Sequence, residues 1–211
     1  EGAYFFTAND AIPVTIGSRP PIHQSSITAS HYALDSHAVR KREEGRVHLD
    51  GFLSYPSAVY TVPYGVMVPK EVGNLLLPVP VSGSHIGFST LRMEPCWMAM
   101  GQAAGIASAL SIDGKVKVQN IDLSRLQDKL VDQKATLMYF KDVDYTSPHF
   151  RMVQYLGLRG YLPEWTARLQ EPVDMATLTP WKKLSGKDLP GIEAGKTTRL
   201  VALEMIYRKI K

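Results

Sequence analysis

The chain has 211 residues, 45% of them hydrophobic, and a formal net charge of +4. That apolar share can bury a core in one or two domains and excludes global disorder, while the scattered basic residues form no stripe for a nucleic acid. The single cysteine, Cys96, excludes an internal disulfide and any multi-cysteine metal site.

In chain order, strand-like runs at Tyr4 to Thr7 and Ala58 to Val62 are separated by Pro, Gly and Ser turns. Between them lie His31, Asp35, Ser36 and His37, a polar cluster whose spacing does not place both histidines and the aspartate on one face, so no metal is expected. The basic group Arg40, Lys41, Arg42 and Arg46 is diluted by Glu43 and Glu44 and reads as a solvated loop. Leu75, Leu76, Leu77, Val79 and Val81 make an apolar run interrupted by Pro78 and Pro80, which predicts a strand at a sheet edge.

A polar loop then begins at Ser82 and carries Ser84, His85, Ser89, Thr90 and Arg92. Pro95, preceded by Glu94, predicts a helix start, and the helix extends to about Leu110. Its Gly101, Ala103, Ala104, Gly105, Ala107 and Ala109 leave one side nearly bare, which suits either a flat ligand or tight packing on a sheet. Free amides at such a helix start stabilise negative charge. The low-charge stretch from Pro95 to Ile112 contains Gln102 and is too short for a transmembrane segment.

Asp113-Gly114 signals a turn. Ile121, Leu123, Leu126, Leu130 and Val131 then recur at helical period, predicting an amphipathic helix from Asp122 to Gln133. Beyond Tyr139 the pattern is that of a helical hairpin. Phe150, Val153, Leu156 and Leu158 form an apolar stripe, Gly160-Tyr161 makes a turn, and Pro172 or Thr179-Pro180 restarts the chain.

Four motifs, EGAYFFTANDA (Glu1 to Ala11), SHYALDSHAVRK (Ser30 to Lys41), YTVPYGVMVPK (Tyr60 to Lys70) and NLLLPVPVSGSH (Asn74 to His85) continuing to GQAAG (Gly101 to Gly105), occur in one order. Together they resemble the C-terminal cofactor-binding portion of FAD-dependent oxidoreductases with a glutathione-reductase-like fold, in particular a bacterial group often mislabelled as xanthan lyases. Many relatives read Ala-Gly-Arg where this chain has Pro78, Val79 and Pro80. Within residues 139–211, FKDVD, VQYLGLRGYLPE, EPVDMATLTPWKKL and TTRLVALEMIYRKI resemble one S-layer-homology repeat.

The resemblance implies an α+β fold. Residues 1–112 would be part of an FAD/NAD(P)-binding-type oxidoreductase domain, 113–138 a linker with its amphipathic helix, and 139–211 a small helical appendage. The N-terminal Rossmann motif is not in the sequence: only GLRG at Gly157 to Gly160 approaches a GxGxxG turn. The expectation is therefore a piece of a longer protein whose missing N-terminal portion supplies the ADP half of the FAD site. The resemblance implies FAD as cofactor, held by Ser82, Ser84, Arg92, Met93 and Glu94.

For chemistry, His85 is the first candidate acid or base, and His37 is a second. Arg92 suits a substrate carboxylate, a carbonyl oxygen or the flavin edge. Tyr64 offers a hydroxyl or simple packing. Cys96, among Trp97, Met98 and Met100, reads as a buried thiol. There is no G-x-S-x-G elbow and no recognisable carboxylate pair, which argues against hydrolase and lyase chemistry. The expected reaction is hydride transfer between a small-molecule substrate, such as a sugar or polyol, and flavin, in an extracytoplasmic setting. The alternative is a noncatalytic glycan-binding or surface-attachment module.

Overall fold

The computed structural model describes residues 1–37, 44–45, 53–186 and 189–211, and the basic group at Arg40, Lys41, Arg42 and Arg46 lies outside them. The chain divides into two compact units, Glu1–Leu137 and Met138–Lys211.

In the first unit, β1 (Ser26–Ser30) pairs antiparallel with β4 (Tyr60–Pro63), with an irregularity between Ser26 and Thr28. Ile27, Tyr60 and Val62 from this pair are buried. A second antiparallel pair joins β2 (Leu34–Ser36) to β3 (Leu53–Tyr55), with Asp35 opposite Ser54. The strand expected at Leu75 to Val81 does not form. Pro78 and Pro80 have no N–H to give a ladder, and the segment is tied instead by Leu77 N–H to the Met67 carbonyl and Ser82 N–H to the Val66 carbonyl, both 2.8 Å. The run from Tyr4 to Thr7 makes only an isolated parallel bridge between Phe6 and Gly83.

The expected polar loop from Ser82 is largely a helix, α1 (His85–Leu91). The local cause is Ser84, whose Oγ accepts the Gly87 N–H at 3.0 Å and so caps the first turn. Gly87 is required where α1 meets the N-terminal segment: a Cβ there would strike the Phe6 carbonyl oxygen and lie 2.8 Å from the Thr7 Cα. After a short break at Arg92 and Met93, α2 runs from Glu94 to Gly114, with Pro95 in its first turn. Its small residues do not share one role. Ala103 and Ala107 are fully buried with Met100, whereas a Cβ on Gly101 or Gly105 would meet nothing within 4 Å.

The amphipathic pattern gives α3 (Leu123–Asp132), capped by Asp122, whose Oδ1 accepts from Ser124 N–H at 2.9 Å and Arg125 N–H at 3.2 Å. Leu126 and Leu130 are fully buried, each contributing about 2 kcal/mol by leaving water. The segment read as a connector is thus built into the first unit, where α3 packs on α2 and β1.

Among its described residues the second unit holds three helices rather than a hairpin: α4 (Phe150–Leu158), α5 (Met175–Ser185) and α6 (Arg199–Ile210). The predicted stripe of α4, Phe150, Val153, Leu156 and Leu158, is buried. Gly160, at φ 86°, then turns the chain through a left-handed conformation that suits glycine. Thr179-Pro180 does not restart the chain. Asp174 does so by capping α5 with a 2.7 Å bond from Thr177 N–H, and Pro180 sits inside the helix. No described helix is long and apolar enough to cross a membrane.

Candidate functional site

Two segments about fifty positions apart build one cavity in the first unit. α1 lies against β2, and a cavity of about 390 Å³ opens between them, lined by His85, Phe88 and Arg92 on one side and by Asp35, Ser36 and His37 on the other. Consecutive residues of β2 hold opposite ends of α1. Ser36 Oγ lies 2.7 Å from Nε2 of His85 at the first helical position. Asp35 takes the guanidinium of Arg92, the C-cap, at 2.9 Å through Oδ2 and at 3.2 Å through its backbone carbonyl.

Asp35 Oδ2 also lies 3.0 Å from Nε2 of His37. Asp35 is only 15% exposed at its side chain and Arg92 35%, so the pair is partly shielded from water and its opposite charges cancel inside the cavity.

All three candidate catalytic residues, His85, Arg92 and His37, line this cavity. The candidate cofactor residues other than Arg92 lie elsewhere. Ser82 lines a separate groove of about 330 Å³ with Gly2, Phe5, Met67 and Gly83. The Ser84 side chain is committed to capping α1. Met93 N-caps α2 and its carbonyl accepts the N–H groups of Cys96 and Trp97 at 3.0 and 3.1 Å; Glu94 is exposed.

Tyr64 is a packing residue. It is buried, its hydroxyl donates to the Val118 carbonyl at 2.9 Å, and burial raises its pKa. Cys96 is buried, and that burial pushes its thiol up. His31 is exposed, and among the described residues no group of three metal-binding side chains is gathered.

Sequence reasoning missed the Asp35–Arg92 pair and the part played by Ser36. The i,i+2 spacing of Asp35 and His37 on an extended segment signals their contact, but nothing local marks Arg92 as the third member.

A second polar cluster lies outside the cavity. Asp10 accepts from the Tyr4 hydroxyl at 2.5 Å and from Thr7 N–H at 2.7 Å, and lies 3.0 Å from His23 Nε2. Burial alone would raise its carboxyl, but the bonds from His23, Tyr4 and Thr7 outweigh that and hold it at about 2. The ring of His23 also meets Thr61 at 2.9 Å, so the cluster ties the N-terminal segment to β4.

Among the described residues of the first unit, three buried side-chain atoms have no hydrogen-bond partner: the acceptor Gln119 Oε1 and two donors, Ser82 Oγ, just before α1, and Trp97 Nε1, in the first turn of α2. An orphaned buried donor costs about 1–3 kcal/mol, and an acceptor brought to it by a ligand would remove that cost. Phosphate, ribityl and ring carbonyl oxygens are such acceptors, so this donor set fits a flavin nucleotide.

An α+β unit with imidazoles and a paired guanidinium around one cavity has the build of an enzyme domain. The model of the FAD dependent oxidoreductase family matches residues 1–130, and the chain belongs to that family, whose cofactor is FAD. No curated protein and no solved structure gives a significant match.

Proposed function

We propose that the cavity between α1 and β2 is the substrate site of an FAD-dependent oxidoreductase acting on an uncharged, hydroxylated small molecule, such as a sugar or other polyol. The observation that carries the reading is the meeting of His85 with the Asp35–Arg92 pair in one cavity, within a chain of this family. Bound FAD supplies the hydride acceptor or donor.

The chain's own groups supply the rest. Asp35 already neutralises Arg92, so this guanidinium is not a spare cation for a carboxylate substrate, which favours a neutral one. Phe88 offers an apolar wall to the carbon face of a ring. His85 attends the substrate oxygen, holding or moving its proton while hydride moves to or from the neighbouring carbon. Arg92 and Asp35 offer a donor and an acceptor to adjacent hydroxyls. The likeness of the first-unit motifs to the glutathione-reductase-like group, and of residues 139–211 to an S-layer-homology repeat, supports a bacterial, glycan-rich setting outside the cytoplasm.

The test is the visible spectrum of the full-length protein after reconstitution with FAD, followed by anaerobic addition of sugars and polyols. Bands near about 370 and 450 nm should appear and bleach with the right substrate. His85→Ala should keep the bands and slow bleaching roughly 100-fold. Failure to retain FAD, or bleaching by none of the polyols, would sink this reading and favour a glycan-binding module.

A further inference from the structure

We infer that Ser36 is a positioning residue: with Asp35 it sets the two cavity histidines as opposite neutral tautomers, and it makes His85 a hydrogen-bond donor toward the substrate oxygen. The donor role rests on the cavity being a substrate site as proposed above; the tautomer assignment does not.

The Asp35 half follows from valence. A carboxylate only accepts, so the 3.0 Å contact between Asp35 Oδ2 and His37 Nε2 requires the ring proton on Nε2. The neutral His37 ring then carries its lone pair on Nδ1.

The Ser36 half follows from satisfying a buried hydroxyl. Ser36 is 8% exposed, and its Oγ bonds Nε2 of His85 at 2.7 Å. If Nε2 carried the proton, that O–H would point away from its neighbour, with no acceptor among the described residues, a state that burial penalises. A bare Nε2 accepts the O–H directly. The ring proton therefore sits on Nδ1, because the bond made by one ring nitrogen decides the state of the other.

Two consecutive residues of β2 thus give the cavity one imidazole of each kind. His85 sits on its wall, and an Nδ1–H there stabilises a substrate carbonyl oxygen that gains negative charge as hydride reaches the adjacent carbon. When His85 is charged, the Ser36 hydroxyl turns and accepts from Nε2–H, so the bond persists in both states.

The test reads tautomers directly. In ¹⁵N-labelled protein at about pH 9, where imidazoles are neutral, two-bond hydrogen–nitrogen correlations report which nitrogen is protonated, and His85→Gln assigns the signal by its loss. Wild-type His85 should show Nδ1–H. Ser36→Ala should switch it to the Nε2–H form usual for a free ring, and Ser36→Thr should restore Nδ1–H. In the FAD-loaded protein Ser36→Ala should lower kcat about tenfold with KM little changed, again restored by Ser36→Thr. Nε2–H in the wild type, or an unmoved signal in Ser36→Ala, would overturn the inference, and the wild-type spectrum decides it even if the alanine variant does not fold. The spectra need neither flavin nor substrate, so this inference and the functional reading fail separately.

Discussion

Asp35 Oδ2 lies 2.9 Å from Nη2 of Arg92, across 57 positions of sequence, and this ion pair joins β2 to the end of α1. It sets both the charge of the cavity and the distance between its walls. Because Arg92 is about one-third exposed, its energetic worth is that of a half-screened pair. A double-mutant cycle with Asp35→Asn and Arg92→Gln, followed by urea unfolding, should give a coupling of about 0.5–1 kcal/mol. A coupling near zero would show that the two walls are held by packing alone.

The Asp10 cluster predicts an acid-sensitive fold. Its carboxyl is held at about 2, below the ordinary 3.8. A depressed folded-state pKa gives stability that is complete above the unfolded value and is lost as pH falls from about 4 toward 2. The expected size is roughly 1–2 kcal/mol. Asp10→Asn should be less stable than wild type at pH 6, and that gap should narrow as the pH is lowered to 2, as read by the urea midpoint. A constant gap across that range would contradict the assignment.

Gly87 and Gly101 should respond to alanine in opposite directions. A Cβ on Gly87 meets the backbone of Phe6 and Thr7, which cannot move without shifting the N-terminal segment, so Gly87→Ala should cost about 2 kcal/mol or more. Gly101 has open space around it inside α2, so Gly101→Ala should stabilise by about 0.5–1 kcal/mol through helix propensity. Thermal melts of the two variants check both signs. A neutral Gly87→Ala would mean that α1 does not rest on the Phe6–Thr7 backbone.

Cys96 should be chemically quiet. Burial keeps its thiol protonated, and the thiolate is the reactive form. A disulfide reagent at pH 8 should label it slowly in the native protein and rapidly after urea unfolding. Fast native labelling would mark Cys96 as a reactive thiol instead.

In the second unit, the fully buried Gln154 acts as a short length of strand for Met138. Its Oε1 accepts the Met138 N–H and its Nε2 donates to the Met138 carbonyl, both at 2.8 Å. Gln154→Leu keeps the bulk but strands both backbone groups, and should destabilise this unit by about 2–4 kcal/mol. Amide exchange at Met138 should accelerate strongly in that variant.

What the sequence determined by itself is local. Pro95 and Asp122 mark the starts of α2 and α3 because a missing N–H and a capping carboxylate act within one turn. The buried stripe of α4 follows from helical period alone. His85, Arg92 and His37 stood out as chemical residue types, and the ordered motifs pointed to an FAD enzyme, the family to which residues 1–130 match. The short helix at His85–Leu91 escaped because its start rests on the Ser84 cap within a run that otherwise reads as polar loop. Only the tertiary structure decided that Asp35 neutralises Arg92 and that Ser36 engages His85. Those partners meet because α1 packs across β2, and sequence period says nothing about which side chains such a crossing brings together. The residue types were visible along the chain, but their division of labour depends on contacts made across it.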